Sequence, residues 1–124
     1  MDGIEGEPSK KHRVLVVDDD AALLRMVKLM LREDGYDVMT ASNGEEGLVE
    51  ALARHPEAII LDLEMPRMDG WTFYRELRAR RVDAPVLILS AYDAREAQRK
   101  LGADAYVHKP FDIDDLVERV HQLV

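Results

Sequence analysis

The 124 residues contain no cysteine, so neither disulfides nor thiol chemistry can operate in this protein. Aromatic residues make up only 6% of the chain, so the core must be built from Leu, Val, Ile, Ala and Met. No apolar run approaches the roughly 18 residues that a membrane span needs. The opening MDGIEGEPSKKH lacks the apolar stretch of a signal peptide, which makes the cytoplasm the expected compartment. Positive charge is also scarce. Against 25 Asp and Glu stand 17 Lys and Arg, a formal net charge of -8. Such a surface repels nucleic-acid backbones and anionic membranes, and favours basic partners and bound cations.

What remains is enough for one domain. With 47% hydrophobic residues the chain can bury a core of ordinary size. Residues 1–11 read as a flexible tail and 12–124 as the domain. Short apolar runs alternate with helical patterns. The runs are RVLVV (13–17), YDVMTA (36–41), EAIIL (57–61), PVLIL (85–89) and AYVH (105–108). Most are continuous rather than alternating, which suits strands of a parallel sheet covered on both faces. Between them, Leu23, Met26, Val27, Met30 and Leu31 recur at the spacing of one helical face. Asn43 with Glu46 predicts a capping box, and Asp69 caps a third helix running to about Arg80. A short fourth helix covers about 93–101. Asp112 opens a fifth, with Ile113, Leu116, Val117, Val120 and Val124 as its apolar face. Five strand–helix repeats with right-handed crossovers give a doubly wound α/β fold with helices on both faces.

In such a fold the functional region lies beyond the C-terminal ends of the strands. Asp18, Asp19 and Asp20 follow the first run, Asp62 the third, Ser90 the fourth and Lys109 the fifth. Clustered carboxylates raise one another's pKa unless a cation is near. Lys109 supplies one positive charge, and Mg²⁺, which takes a few carboxylates and keeps several waters, would supply two more. A carboxylate beside Mg²⁺ and a lysine suits phosphoryl transfer, with Asp62 itself as the nucleophile and Ser90 bonding a phosphoryl oxygen. Each residue alone has a plainer reading. An aspartate run before a helix is more often a cap than a metal site, and Asp20 remains a cap in either case. Lys109-Pro110 alone is an ordinary breaker. The six methionines read as core filler, Trp71 as helix packing, and His12, His55, His108 and His121 as surface residues. Only the joint placement favours chemistry.

These stretches resemble the receiver domain of two-component response regulators over residues 13–124. VLVVDDD resembles the family's first strand and acidic pair, and ILDLEMPRMDG its phosphoacceptor strand and following loop. LILSA resembles the hydroxyl-bearing fourth strand, and AYVHKPF the switch aromatic and Lys-Pro step. The resemblance implies a flavodoxin-like sheet of order 2-1-3-4-5. It implies that Asp62 accepts a phosphoryl group from a sensor histidine kinase or phosphotransfer protein. Asp18, Asp19, Asp62 and the backbone carbonyl of Glu64 would hold Mg²⁺. Lys109 would pair with phosphoryl oxygens, Ser90 would move toward them, and Tyr106 would rotate inward. A cis Lys109-Pro110 bond is implied as well, and Gly70 would serve the turn after the site. The chain would catalyse only its own phosphorylation and dephosphorylation. It would signal to a downstream protein or output domain, and a phosphorylation-dependent dimer is compatible with the family.

Two features depart from the pattern. An acid at Glu64 would stand beside the phosphate, and Tyr92 could partly shield the site. The stretch from Ser90 to Lys109 is about three residues shorter than usual, close to one helical turn. Competing readings are a docking-only receiver, a magnesium-dependent aspartyl-phosphate phosphatase with Glu64 as its acid, and a flavodoxin. The complete acid–Ser–Lys set opposes the first. The absence of a cap domain opposes the second. The third lacks a Ser/Thr-rich phosphate loop.

Overall fold

Continuous apolar runs become strands here because both faces of each are covered. The computed structural model describes residues 11–124; of the expected tail, residues 1–10 lie outside the described residues. The strands are β1 Arg13–Val17, β2 Asp37–Ala41, β3 Ala58–Asp62, β4 Val86–Ser90 and β5 Ala105–His108. They alternate with helices α1 Ala21–Glu33, α2 Gly44–Arg54, α3 Gly70–Ala79, α4 Ala94–Leu101 and α5 Ile113–Leu123. All pairings are parallel and the strand order is β2-β1-β3-β4-β5, the doubly wound order expected of the resemblance.

Successive strand residues point to opposite faces, so each run feeds two cores. Leu15, Val17, Ile59, Leu61, Val86 and Ile88 pack under α2, α3 and α4, with Phe73 and Leu77 as the large helix residues. Val14, Val16, Ile60, Leu87, Leu89 and Val107 pack under α1 and α5, against Leu24, Val27, Leu31, Leu116 and Val120. With both faces apolar, alternation alone does not fix register. The polar strand ends do so: sliding Asp18 or Asp62 into the sheet would bury a carboxylate among aliphatic side chains at a cost of several kcal/mol.

The structure shifts several expectations. β3 and β4 start one residue later than the apolar runs and end on Asp62 and Ser90. Pro85 has no N–H for the ladder and serves only as acceptor, from Ile59 N at 2.9 Å. Pairing continues past the apolar residues, since Leu63 N donates to Leu89 O and Lys109 N to Ser90 O. On α1 the buried line is Leu24, Val27 and Leu31, whereas Met26 is 44% exposed and Leu23 half-buried. The expected face is therefore rotated, because Leu24 is the residue that meets the sheet. On α5, Leu116 and Val120 of the expected face are buried, Ile113 and Val117 are half-buried against the same core, and Val124 is exposed at the helix end. Asn43 does cap α2 through Glu46 N, but the Glu46 carboxylate reaches Ser42 N and Oγ instead of the cap residue. Met39 and Met65 are core, and Trp71 packs half-buried against it. The four histidines are exposed, though His121 bonds Asp34 and lies 3.0 Å from the Tyr36 hydroxyl.

Gly70 needs correction in its reason. It does not adopt positive φ; in that loop Arg67 does, at 65°. A Cβ on Gly70 would lie 2.5 Å from the Asp62 carbonyl oxygen and 2.6 Å from Leu63 Cα. Both are backbone atoms that no rotamer change can move. Gly70→Ala is therefore expected to lower unfolding free energy by about 1–3 kcal/mol in urea. An unchanged urea midpoint would show that α3 can shift freely away from the end of β3.

Candidate functional site

Register brings the polar strand ends to one rim. Val17 pairs with Leu61, so Asp18 and Asp62 stand at the same level on adjacent strands. Ser90 pairs with His108, one residue before Lys109. Asp18, Asp62 and Ser90 are all essentially fully buried, while Asp19 is exposed.

Asp18, Asp20 and Asp62 each have a local task. Asp18 Oδ1 accepts from Asp20 N at 2.9 Å, which turns the chain out of β1. Asp20 caps α1 by accepting from Ala22 N and Leu23 N. Asp62 Oδ1 accepts from Glu64 N at 3.3 Å. Lys109 Nζ reaches across to Asp18 Oδ2 at 2.8 Å and Asp62 Oδ1 at 3.3 Å. The bond between Lys109 and Pro110 is cis.

The electrostatics are unbalanced. Burial and the neighbouring Asp18 charge push the Asp62 carboxyl up to about 7; Lys109 and the Glu64 N–H pull it back only in part. Burial works against the Lys109 ammonium, yet Asp18 and then Asp62 outweigh it and hold its pKa above the usual lysine range. One oxygen each of Asp18, Asp19 and Asp62 lies within 4.8 Å of the others. Three carboxylates against one ammonium leave two negative charges, which one divalent cation would cancel. Asp18 Oδ2 is buried and, although close to Lys109, has no aligned hydrogen-bond partner among the described residues. The donor set is all oxygen and partly open to solvent through Asp19, so the residues fit a hard cation that keeps its waters.

Ser90 joins the rim through Glu64. Its hydroxyl lies 2.8 Å from Glu64 Oε2 and 2.9 Å from the Tyr92 carbonyl, and it accepts from Tyr92 N at 3.0 Å. Tyr92 itself is 74% exposed, so it bears on Ser90 through its backbone and its ring does not seal the site. Tyr106 is half-buried against the core under α4; Arg119 donates to its carbonyl, and the guanidinium stands 5.9 Å from its ring. The short α4 has eight residues and opens on Asp93, whose φ is 43°.

Sequence reading foresaw neither the Glu64–Ser90 contact nor a largely apolar groove of about 500 Å³ lined by Leu23, Met26, Ala91, Pro110 and Phe111. The signal for the groove was present in Met26, which precedes Val27 and so lies about 100° around α1 from the buried line.

Comparison with known proteins agrees with this architecture. The model of the response regulator receiver domain matches residues 14–121. The transcriptional regulatory protein PrrA of Mycobacterium tuberculosis is 45% identical over 115 residues, covering 90% of this chain and 49% of that protein. The chain thus spans about half the length of the curated relatives it matches. The receiver domain of Francisella response regulator 1452 superposes with a TM-score of 0.85 at 37% identity, covering 91% of this chain and 96% of that one. Response regulator TrrA of Thermotoga maritima, solved in complex with Mg²⁺-BeF, gives 0.82 at 38% identity, covering 91% and 99%. With sequence, strand order and family model in agreement, the chain belongs to the response regulator receiver domains of two-component systems.

Proposed function

We propose that Asp62 accepts a phosphoryl group in a Mg²⁺-dependent reaction, and that the chain then changes conformation to signal onward. The observation that carries this reading is the meeting of Asp18, Asp19, Asp62 and Lys109 at one rim, with excess negative charge and a buried, unaligned carboxylate oxygen. The relative TrrA binds Mg²⁺-BeF, which is consistent with that reading. Asp18, Asp19, Asp62 and the Glu64 carbonyl would hold the metal. When bound, Mg²⁺ supplies charge neutralisation and polarises a phosphoryl oxygen.

The donor is the phosphohistidine of a sensor histidine kinase or a phosphotransfer protein. An Asp62 carboxylate oxygen forms the new O–P bond as the P–N bond breaks. The electron pair leaves on the imidazole nitrogen, which takes a proton from water. Lys109, already aimed between Asp18 and Asp62, holds a phosphoryl oxygen and stabilises charge as it develops. Ser90 bonds another oxygen, and Tyr106 repacks behind it to carry the change outward. The output is a downstream protein or a linked output domain. On this reading the chain turns over only its own phosphoryl group. No described helix is long and apolar enough to cross a membrane, in keeping with a cytoplasmic partner kinase. The phosphatase alternative gains nothing, because the Glu64 carboxylate bonds Ser90.

Incubation with acetyl phosphate and Mg²⁺ is expected to add one phosphoryl group, located on Asp62 by peptide mass spectrometry. No incorporation, or incorporation elsewhere, would sink the reading.

A further inference from the structure

Ser90 is fully buried and has a single hydroxyl proton. Two acceptors compete for it, Glu64 Oε2 at 2.8 Å and the Tyr92 carbonyl at 2.9 Å. The carboxylate is the stronger, since a hydrogen bond to an ionised acceptor is roughly twice as strong as a neutral one. The other Glu64 oxygen faces Ala91 N at 3.5 Å, a longer and weaker contact. One carboxylate therefore spans two donors on consecutive residues at the end of β4. Converging donors on an anion make an anion site, and here the anion is supplied by the chain itself. Glu64 reaches it from two residues beyond Asp62, the residue that would carry the phosphoryl group.

We propose that Glu64 is an internal anion latch: its carboxylate holds the Ser90 hydroxyl and Ala91 N–H while Asp62 is bare, and must release them when Asp62 carries a phosphoryl group. The proposal rests on the reading of Asp62 as phosphoacceptor. The exchange replaces one hydrogen bond by another and moves no proton between residues. The Tyr92 carbonyl can keep the Ser90 proton during the exchange, so the hydroxyl is never left without an acceptor. Glu64 is thus a positioning residue that acts through Ser90. It opposes the phosphorylated state twice, by occupying its donors and by repelling its charge.

The two effects separate in a double-mutant cycle. The probe is beryllium fluoride with saturating Mg²⁺, followed by fluorescence of the single tryptophan, Trp71, which lines the same cleft as Asp19 and Glu64. Glu64 is exposed, so Glu64→Ala leaves the fold intact. Glu64→Ala is expected to bind the probe about tenfold more tightly, the size of one charge-assisted hydrogen bond released on an anion site. That gain should fall to about threefold or less when Ser90→Ala is also present, because only repulsion and the longer contact to Ala91 N are then relieved. Equal affinity of wild type and Glu64→Ala overturns the latch, as does a gain of the same size with and without the Ser90 hydroxyl. The neutral variant Glu64→Gln should fall between the two, since it keeps an acceptor for Ser90 and loses the charge. Binding by neither wild type nor Glu64→Ala overturns the latch together with the phosphoacceptor reading, and the acetyl phosphate experiment shows that second failure independently.

Discussion

Asp62→Asn is expected to abolish phosphoryl uptake from acetyl phosphate and, in metal-free buffer, to make the protein more stable at high pH. The first effect follows from removing the attacking carboxylate. The second follows from its environment. The folded Asp62 carboxyl titrates at about 7, raised from 3.8 by burial and by Asp18. Below 3.8 both folded and unfolded forms are protonated, and the site costs nothing. Between these values the unfolded chain releases a proton that the folded protein keeps, so stability falls as pH rises; above about 7 the full penalty applies. Asn keeps the acceptor for Glu64 N but has no charge to bury. The variant should gain about 1–3 kcal/mol over wild type near about pH 8, after allowance for screening at the open side of the rim, and nothing near about pH 4. Urea unfolding in EDTA at the two pH values measures this. A variant less stable than wild type at the higher pH would mean that Lys109 already satisfies both carboxylates.

That opposition between stability and function explains how much of the site could be read in advance. The strand ends are legible because a carboxylate after a run such as AIIL or VLVV breaks the apolar pattern and is costly to bury. Its cost marks it as retained for chemistry, and the position of each run then fixes which residues share a rim. The ends of the runs put Asp18, Asp62, Ser90 and Lys109 on one rim, and the structure does bring them to one end of the sheet. Helix faces were less legible. On α1, Leu23, Leu24, Met26 and Val27 are all apolar, so periodicity alone cannot tell which line meets the sheet. The groove beside Pro110 and Phe111 takes up the difference. In sequence Gly70 suggests backbone freedom, while its reason is the approach of α3 to the carbonyl of Asp62, a tertiary contact that leaves no local pattern. The side chain of Glu64 was illegible for the same reason. Its partner Ser90 is 26 residues away, and only the parallel pairing of β3 and β4 brings them together.

Lys109→Ala is expected to separate the two roles of the ammonium, counter-ion and phosphoryl clamp. Without it, the buried Asp18 and Asp62 oxygens both lose the one cation that stands close to them among the described residues. Removing one partner of a largely buried ion pair costs several kcal/mol, but the Lys109 side chain is 22% exposed, so a loss of about 1–3 kcal/mol near about pH 8 is expected. The elevated Lys109 pKa gives the sign: its contribution is complete below 10.5 and disappears only above the folded value, so wild type has it throughout the neutral range. The loss should shrink toward about pH 5, where Asp62 protonates and one of the two uncompensated charges vanishes. Millimolar Mg²⁺ should restore most of the stability, because a divalent cation on the Asp18, Asp19 and Asp62 oxygens replaces the missing charge. It should not restore the chemistry. Mg²⁺ on the carboxylate side leaves the phosphoryl oxygen that Lys109 would hold without a donor, and the rate of phosphoryl uptake should stay about a hundredfold below wild type. Urea unfolding and acetyl phosphate labelling, each with and without Mg²⁺, measure the two responses on the same preparation. Recovery of both would make Lys109 a counter-ion and nothing more; recovery of stability alone places it at the reacting group.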